Sequence, residues 1–241
     1  MWHFLSFLFG IVIGSFLNVV IYRLPRKDLS IVKPAHSICP NCGQRIEWYD
    51  NIPILSYILL VGRCRKCKAK ISPRYIVVEL ANGFCYMLNS FRSSTFVEFM
   101  ALSLLISCSL IIAFIDLEFM LIPDIAMIFV ALASFLLWLL NGANLFNLVG
   151  VAAVTALLLI LMIAYKGGMG GGDVILMAAL SLSLGIVGSF YVLIFASVSA
   201  ILYALIRSKG KLSMKQKIPF GTFLAPAGYV MVFIQKYVSM W

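Results

Sequence analysis

"MWHFLSFLFGIVIGSFLNVVIYRLPRK", residues Met1–Lys27, sets the reading frame for the whole chain. Its apolar run is about 20 residues long, the length of a helix that crosses a bilayer. No basic residue precedes the run, whereas Arg23, Arg26 and Lys27 follow it. A cleavable secretory signal carries its positive charge in front of the apolar stretch. The observed order therefore predicts a retained first helix that starts outside the cell and ends in the cytoplasm, because Lys and Arg in short loops stay on the cytoplasmic side.

The rest of the chain repeats this pattern. Of 241 residues, 63% are hydrophobic and only 12% charged, against about 25% charged in soluble domains. Eight spans are expected, at about 2–22, 75–91, 96–115, 125–140, 145–165, 174–188, 189–206 and 219–237, the sixth and seventh parted only by Gly185 and Gly188. The fold class is an all-α polytopic membrane protein with about eight transmembrane helices. The net charge of +10 has a topological meaning rather than a nucleic-acid one: eleven of nineteen Lys and Arg lie between Arg23 and Arg74, and five between Arg207 and Lys217. Eight crossings from an outside start place 23–74, 116–124, 166–173 and 207–218 in the cytoplasm with seventeen basic residues, leaving Arg92 and Lys236 outside. The same count puts Asp116, Asp124 and Asp173 at one membrane face, although they were not used to set it.

The first cytoplasmic segment carries "CPNCG" (Cys39, Cys42) and "CRKCK" (Cys64, Cys67). Two C-x-x-C turns at this separation match the spacing of zinc ribbons, where four thiolates surround one tetrahedral ion. Disulfides are the alternative, and a reducing cytoplasm argues against them. Four cysteines leave no open position, so the site reads as structural. Arg63, Arg65, Lys66 and Lys68 help to hold thiolates. Cys85 and Cys108 sit inside apolar runs and read as small buried side chains.

Only nine Asp and Glu are present, and carboxylates beside a bilayer are costly enough to need a reason. In "YKGGMGGGDVILMAALSLSLG" (Tyr165–Gly185), Asp173 is placed to cap a helix. Five glycines, Gly167, Gly168, Gly170, Gly171 and Gly172, also let another backbone approach it closely. No Lys-Ser/Thr follows them, which excludes a phosphate-cradling loop. "AFIDLEFMLIPDIAMI" supplies Asp116, Glu118 and Asp124. Asp124 follows Pro123 and opens an apolar span, so capping is its expected job. Asp116 has no local duty, and on a continued helix it faces the bundle while Glu118 lies about 200° around. Two carboxyls meeting at a water-poor edge share a proton and titrate together. They can hold a water between base and acid and hydrolyse a peptide without metal. His3 and His36 are the only histidines and neither fits a serine or cysteine triad. The residues alone leave Asp116 and Asp124 both open as the partner of Asp173.

The stretches "GSFLNVVIYRLP", "CPNCG" through "WYDNIPILSY" to "GRCRKC", "SPRYIVVEL", "IDLEFMLIPD", "GMGGGD" and "IPFGTFLAP" together resemble the type IV prepilin peptidases, or prepilin leader peptidase/N-methyltransferases, over nearly the full length. The resemblance implies an intramembrane aspartyl protease whose catalytic pair is Asp116 and Asp173, with Asp124 outside it. It implies a substrate helix already in the bilayer, a prepilin or a pseudopilin of type II secretion, cut after a glycine at the cytoplasmic face of the bacterial inner membrane. It implies N-methylation of the new terminus with S-adenosylmethionine, since protease-only relatives generally lack the full cysteine loop. For the methyl donor, Glu47, Asp50 and Glu79 are candidates because a sulfonium and an attacking amine both favour nearby acids; Glu79 alternatively pairs with Arg74 or Arg23. The expected organisation is a first transmembrane helix (1–22), a zinc-binding and methyltransferase loop (23–74) and a protease core (75–241). Phe119 stands where a His is common in relatives. Two other readings compete: a protease without methyl transfer, and a transporter using Asp116 and Asp173 as ion sites. Transporters usually show repeated halves, which are absent here.

Overall fold

The computed structural model describes residues 1–26, 28–32, 36–165, 170–208 and 217–238. Lys27, Lys33, Lys166, Gly167, Gly168, Lys209, Lys211 and Lys215 lie outside the described residues. Among the described residues the order is α1 (Trp2–Arg23), a 3-10 turn (Trp48–Asn51), α2 (Leu55–Leu59), α3 (Arg74–Arg92), α4 (Phe96–Phe119), α5 (Asp124–Leu140), α6 (Phe146–Ala164), α7 (Gly171–Arg207) and α8 (Gly221–Val238), with no strand. Helices α1, α4, α6 and α7 are long and apolar enough to cross a membrane, and α5 and Gly221–Gln235 are shorter apolar helices. Phe4, Leu8 and Phe16 on α1, Ile128 on α5 and Phe195 on α7 point outward. So much outward apolar surface is tolerated by lipid and not by water. The chain is a multi-pass membrane protein, organised as two compact units, Met1–Arg92 and Ser93–Trp241.

The first unit is built on α1 and α3, packed antiparallel. His3 Nδ1 meets Ser90 Oγ at 2.8 Å near one end, and Asn18 Nδ2 donates to the Tyr75 carbonyl at 3.0 Å near the other. Between these ends the backbones touch: a Cβ on Gly10 would lie 2.8 Å from Gly83 Cα, and one on Gly14 would lie 2.8 Å from Glu79 Cα. Lipid tails are as apolar as leucine, so close backbone packing and interhelical hydrogen bonds hold such pairs together. Asn82 supplies one of those bonds, donating to the Gly10 carbonyl at 2.7 Å. Helix α3 consequently has its polarity reversed. It buries Glu79, Asn82, Asn89 and Ser90 and turns Val77, Phe84 and Leu88 outward. Buried Arg23, at the end of α1, donates to the carbonyls of Ser30, Ile31 and His36 and fastens the loop that follows.

In the second unit α4 packs against α5 and α8, and α7 packs against α5, α6 and α8. Helix α7 is two helices joined at Gly185, where φ is 67° and ψ −170°. Such a backbone is open to glycine and strained for other residues. A Cβ on Gly150 of α6 would lie 2.6 Å from Ile186 N, so α6 crosses at the break itself. Carbonyls freed there must find donors, because no water serves them in lipid. Asn147 donates to Leu182 O at 3.0 Å and Gln235 to Leu184 O at 3.3 Å. With the limbs 171–184 and 186–207 taken separately, α1, α3, α4, α5, α6, α7 and α8 provide the eight expected long segments among the described residues. Gly185 alone makes the break, and Gly188 lies within the second limb.

Replacing Gly14 by Leu should lower the thermal midpoint of the detergent-solubilised chain, in line with about 1–3 kcal/mol for overpacking a tight contact. Leu8→Ala, on the outward face of the same helix, should change it little. Equal midpoints for Gly14→Leu and the unaltered chain would contradict the packing of α1 on α3.

Candidate active site and metal centre

Asp116 occupies the last turn of α4 and Asp173 the first turn of α7, only 5% and 7% exposed. Helix α8 packs on both of these helices. Its N-terminus holds Asp116: Oδ2 accepts from the Thr222 N–H at 2.8 Å and from Thr222 Oγ1 at 3.2 Å, and Gly221 contributes a further backbone N–H. Thr222 Oγ1 also lies 3.1 Å from the Ala113 carbonyl, one turn before Asp116. Helix N-termini favour anions through free N–H groups and the aligned peptide dipoles. Each bond to a charged acceptor contributes about 1.5–3 kcal/mol, which offsets the several kcal/mol needed to desolvate a carboxylate.

Asp173 is handled differently. Helix α7 starts at Gly171, so the residue at the N-cap is Gly170 and Asp173 stands three positions later. Its Oδ2 accepts from the Gly170 N–H at 3.3 Å, and its own N–H donates to the Gly170 carbonyl at 3.1 Å. This is the reaching-back half of a capping box, so the expected capping role is met through the side chain at the third position. Oδ1 is buried and has no hydrogen-bond partner. The side chain of Ile122 lies beside both Gly172, the residue before Asp173, and Gly221, the residue before Thr222.

The other acids go elsewhere. Glu118 is exposed, as the helical projection required. Asp124 is exposed at the first position of α5, whose N-cap is Pro123 with no side-chain cap bond. The expected capping bond from Asp124 is therefore absent: Pro123 holds the N-cap position and makes no side-chain bond, and Asp124, at the first helical position, is placed to act through the helix dipole. Thr222 was not legible as a site residue, although a Gly-Thr pair opening an apolar helix was the available signal.

The four cysteines form a cluster in the first unit. Each pair sits on a tight loop: Cys39 N–H bonds Gln44 O and Gly43 N–H bonds Cys39 O, both at 2.9 Å. Cys64 N–H bonds Ala69 O at 2.9 Å and Lys68 N–H bonds Cys64 O at 3.0 Å, repeating the pattern. Isolated bridges between Ile38 and Arg45 and between Arg63 and Lys70 flank the two loops. The residue after each second cysteine turns left-handed, Gly43 at φ 67° and Lys68 at φ 59°. All four sulfurs lie within 4.8 Å of one another, Cys39 Sγ to Cys67 Sγ being 3.9 Å, and no disulfide links them. Tetrahedral ligation with bonds of about 2.3 Å places sulfurs about 3.8 Å apart. The cluster can therefore hold a metal ion. The Ala69 N–H, with the Asn41 side chain, brings the Cys67 thiol down to about 6.

The three acids considered for the methyl donor also lie in this unit. Glu47 is exposed. Asp50 is taken up by Arg65 in a two-pronged pair, Nε to Oδ2 at 2.7 Å and Nη2 to Oδ1 at 2.6 Å. Arg65 holds its carboxyl below the usual carboxylate range. Glu79 is buried and accepts from the Ile54 N–H at 2.8 Å. Ile54 has φ 62° and ψ −53°, and Leu55 N–H reaches back to Pro53 O at 2.6 Å. That is the rarer, strained form of γ-turn, and Glu79 secures it.

Comparison with known proteins adds to this geometry. Residues 8–93 match the bacterial peptidase A24 N-terminal domain, and residues 103–205 match the type IV leader peptidase family. A prepilin leader peptidase/N-methyltransferase of Aeromonas salmonicida (strain A449) is 34% identical, covering 98% of this chain and 92% of that protein. A type 4 prepilin-like proteins leader peptide-processing enzyme of Escherichia coli O78:H11 is 33% identical over 94% of this chain and 91% of its own length. One of Dichelobacter nodosus, a prepilin leader peptidase/N-methyltransferase, is 33% identical over 92% and 88%. No solved structure matches the chain. Similarity at this level, end to end across both units, places the protein: the chain belongs to the type IV leader peptidase family.

Proposed function

We propose that this chain removes the leader of a prepilin or pseudopilin at the cytoplasmic face of the bacterial inner membrane, and then methylates the new N-terminus. The observation that carries the protease half is the pair of buried acids brought by α4 and α7 to helices that share α8, one rich in donors and one with a bare oxygen. Asp116, with the N-terminus of α8 behind it, is the member suited to carry charge and acts as the base. Asp173 keeps the shared proton. A water between them gives a proton to Asp116 as its oxygen bonds to the scissile carbonyl carbon, and Asp173 passes its proton to the carbonyl oxygen. Breakdown of the tetrahedral adduct breaks the C–N bond: the proton on Asp116 moves to the departing nitrogen, and one hydroxyl of the adduct returns its proton to Asp173 as the C=O bond re-forms. Gly170 and Gly171, just before Asp173, leave room for an extended substrate backbone.

The methyltransferase half belongs with the first unit, whose cysteine cluster fits zinc in a structural role: Cys39, Cys42, Cys64 and Cys67 supply four ligands and none is left for water. An ion held by these four cysteines would neutralise thiolate charge and tie two loops that have little apolar core of their own. S-adenosylmethionine, when bound, would supply an electrophilic methyl group to the freed amine, the C–S bond breaking to leave a neutral thioether and the amine losing a proton. Of the three acids, Asp50 and Glu79 shape the loop through Arg65 and Ile54, which makes exposed Glu47 the one with its carboxylate to offer.

Asp116→Asn and Asp173→Asn, each alone, should lower prepilin cleavage by at least about 10³-fold with unchanged membrane insertion. Asp124→Asn should stay within about threefold, since exposed polar changes away from such features are mild. Cleavage above that floor in either of the first two would refute the pair.

Purified protein should hold about one zinc per chain, lost in Cys39→Ser and Cys64→Ser. These two variants should fail to methylate a peptide that already has its mature N-terminus, read by mass spectrometry. Metal-free protein with full methyl transfer would contradict the structural role of zinc.

A further inference from the structure

The backbone between α4 and α5 aims one side chain with unusual care. Met120, the first residue after α4, is left-handed at φ 53°, its N–H bonded to the Asp116 carbonyl at 2.8 Å. Three residues on, buried Pro123 biases the residue before it toward extended backbone. Ile122 is thus directed from both sides, and its neighbours Met120 and Leu121 point outward while it does not. Its side chain lies against two glycines. A Cβ on Gly172 would sit 3.3 Å from Ile122 Cβ and 3.4 Å from Cδ1; one on Gly221 would sit 2.8 Å from Ile122 Cδ1 and 3.2 Å from Asp116 Oδ2. Gly172 immediately precedes Asp173, and Gly221 immediately precedes Thr222, whose N–H and hydroxyl hold Asp116.

We infer that Ile122 is a positioning residue: a spacer wedged between the backbone that carries Asp173 and the backbone that holds Asp116, setting the gap in which the two acids work on one water. This rests on the acid pair proposed above. A β-branched side chain is stiff at χ1, as a spacer should be. Glycine is needed at 221 because a methyl there would press on the spacer and on Asp116 together. At 172 a methyl would lie 3.3 Å from Ile122 Cβ and press on the spacer as well. Misplacement of reacting groups by about 1 Å can cost about 10²-fold in rate, so loss of the whole branched side chain, or a methyl driven into it from position 221, reaches the chemistry.

The test uses the full chain in detergent with a purified prepilin, measuring kcat and KM. Ile122→Ala should lower kcat about 10- to 100-fold with KM within about twofold, and Ile122→Val, which lacks only Cδ1, should keep most of kcat. Gly221→Ala should lower kcat about 100-fold, and adding Ile122→Val to it should restore about tenfold, because the atom struck by the new methyl is gone. A wild-type kcat in Ile122→Ala, a rise in KM with kcat unchanged, or a Gly221→Ala defect that Ile122→Val leaves untouched would each overturn the spacer. Thermal midpoints are recorded for all variants, and if Ile122→Ala does not fold, the Gly221→Ala and Ile122→Val comparison decides. Asp116→Asn and Asp173→Asn run in parallel. Their full activity would sink the acid pair itself, whereas their inactivity beside an indifferent Ile122 would sink only the spacer.

Discussion

A carboxylate can be kept at the edge of a lipid-facing bundle only if donors are waiting for it, and the N-terminus of α8 is where this chain places them. Gly221 and Thr222 offer backbone N–H groups that no earlier turn of helix uses, and the threonine hydroxyl adds a third bond. Much of the second unit follows from this. Helix α8 must begin beside the last turn of α4, Gly221 must lack a side chain so that Asp116 can approach, and α7 must pack on α8. Asp173 receives a single backbone donor on one oxygen and leaves the other bare. The inequality between the two acids is built from the donors that each helix end presents, since the two residue types are identical.

The first unit meets the same constraint with other means. Its polar side chains are folded inward between α1 and α3, where asparagines bond opposing carbonyls across a glycine-lined contact. The segment joining the two helices has little to bury. It is organised by fixed points instead: Arg23 on three carbonyls, Glu79 on the strained turn at Ile54, Asp50 on Arg65, and two cysteine loops of matching backbone. Lys68 adopts the left-handed conformation that Gly43 adopts in the first loop, a strain accepted because the sulfur cluster needs both turns alike.

The break at Gly185 shows how the bundle admits irregular backbone. Positive φ opens the helix, α6 closes over it at Gly150, and Asn147 and Gln235 take the carbonyls left without partners. Were those two side chains apolar, each freed carbonyl would cost about 1–3 kcal/mol. Asn147 and Gln235 are thus polar residues of apolar helices placed where the regular hydrogen-bond ladder fails.

The residues by themselves determined the helical membrane architecture, the eight long segments and the cysteine quartet. Apolar run length reports transfer into lipid directly, and C-x-x-C spacing is a local geometric requirement. They also left Asp116 and Asp124 equal until a family resemblance chose between them, and in the fold the first is buried and the second exposed. Only the tertiary structure decided that Thr222 holds Asp116, that Asp173 caps from the third helical position, that Asp50 and Glu79 are already engaged, and that Ile122 stands between Gly172 and Gly221. The reason is separation along the chain: the bond from Thr222 to Asp116 spans 106 residues. Hydrophobic periodicity records which face of a helix is greasy and carries no information about which distant backbone will arrive to meet it.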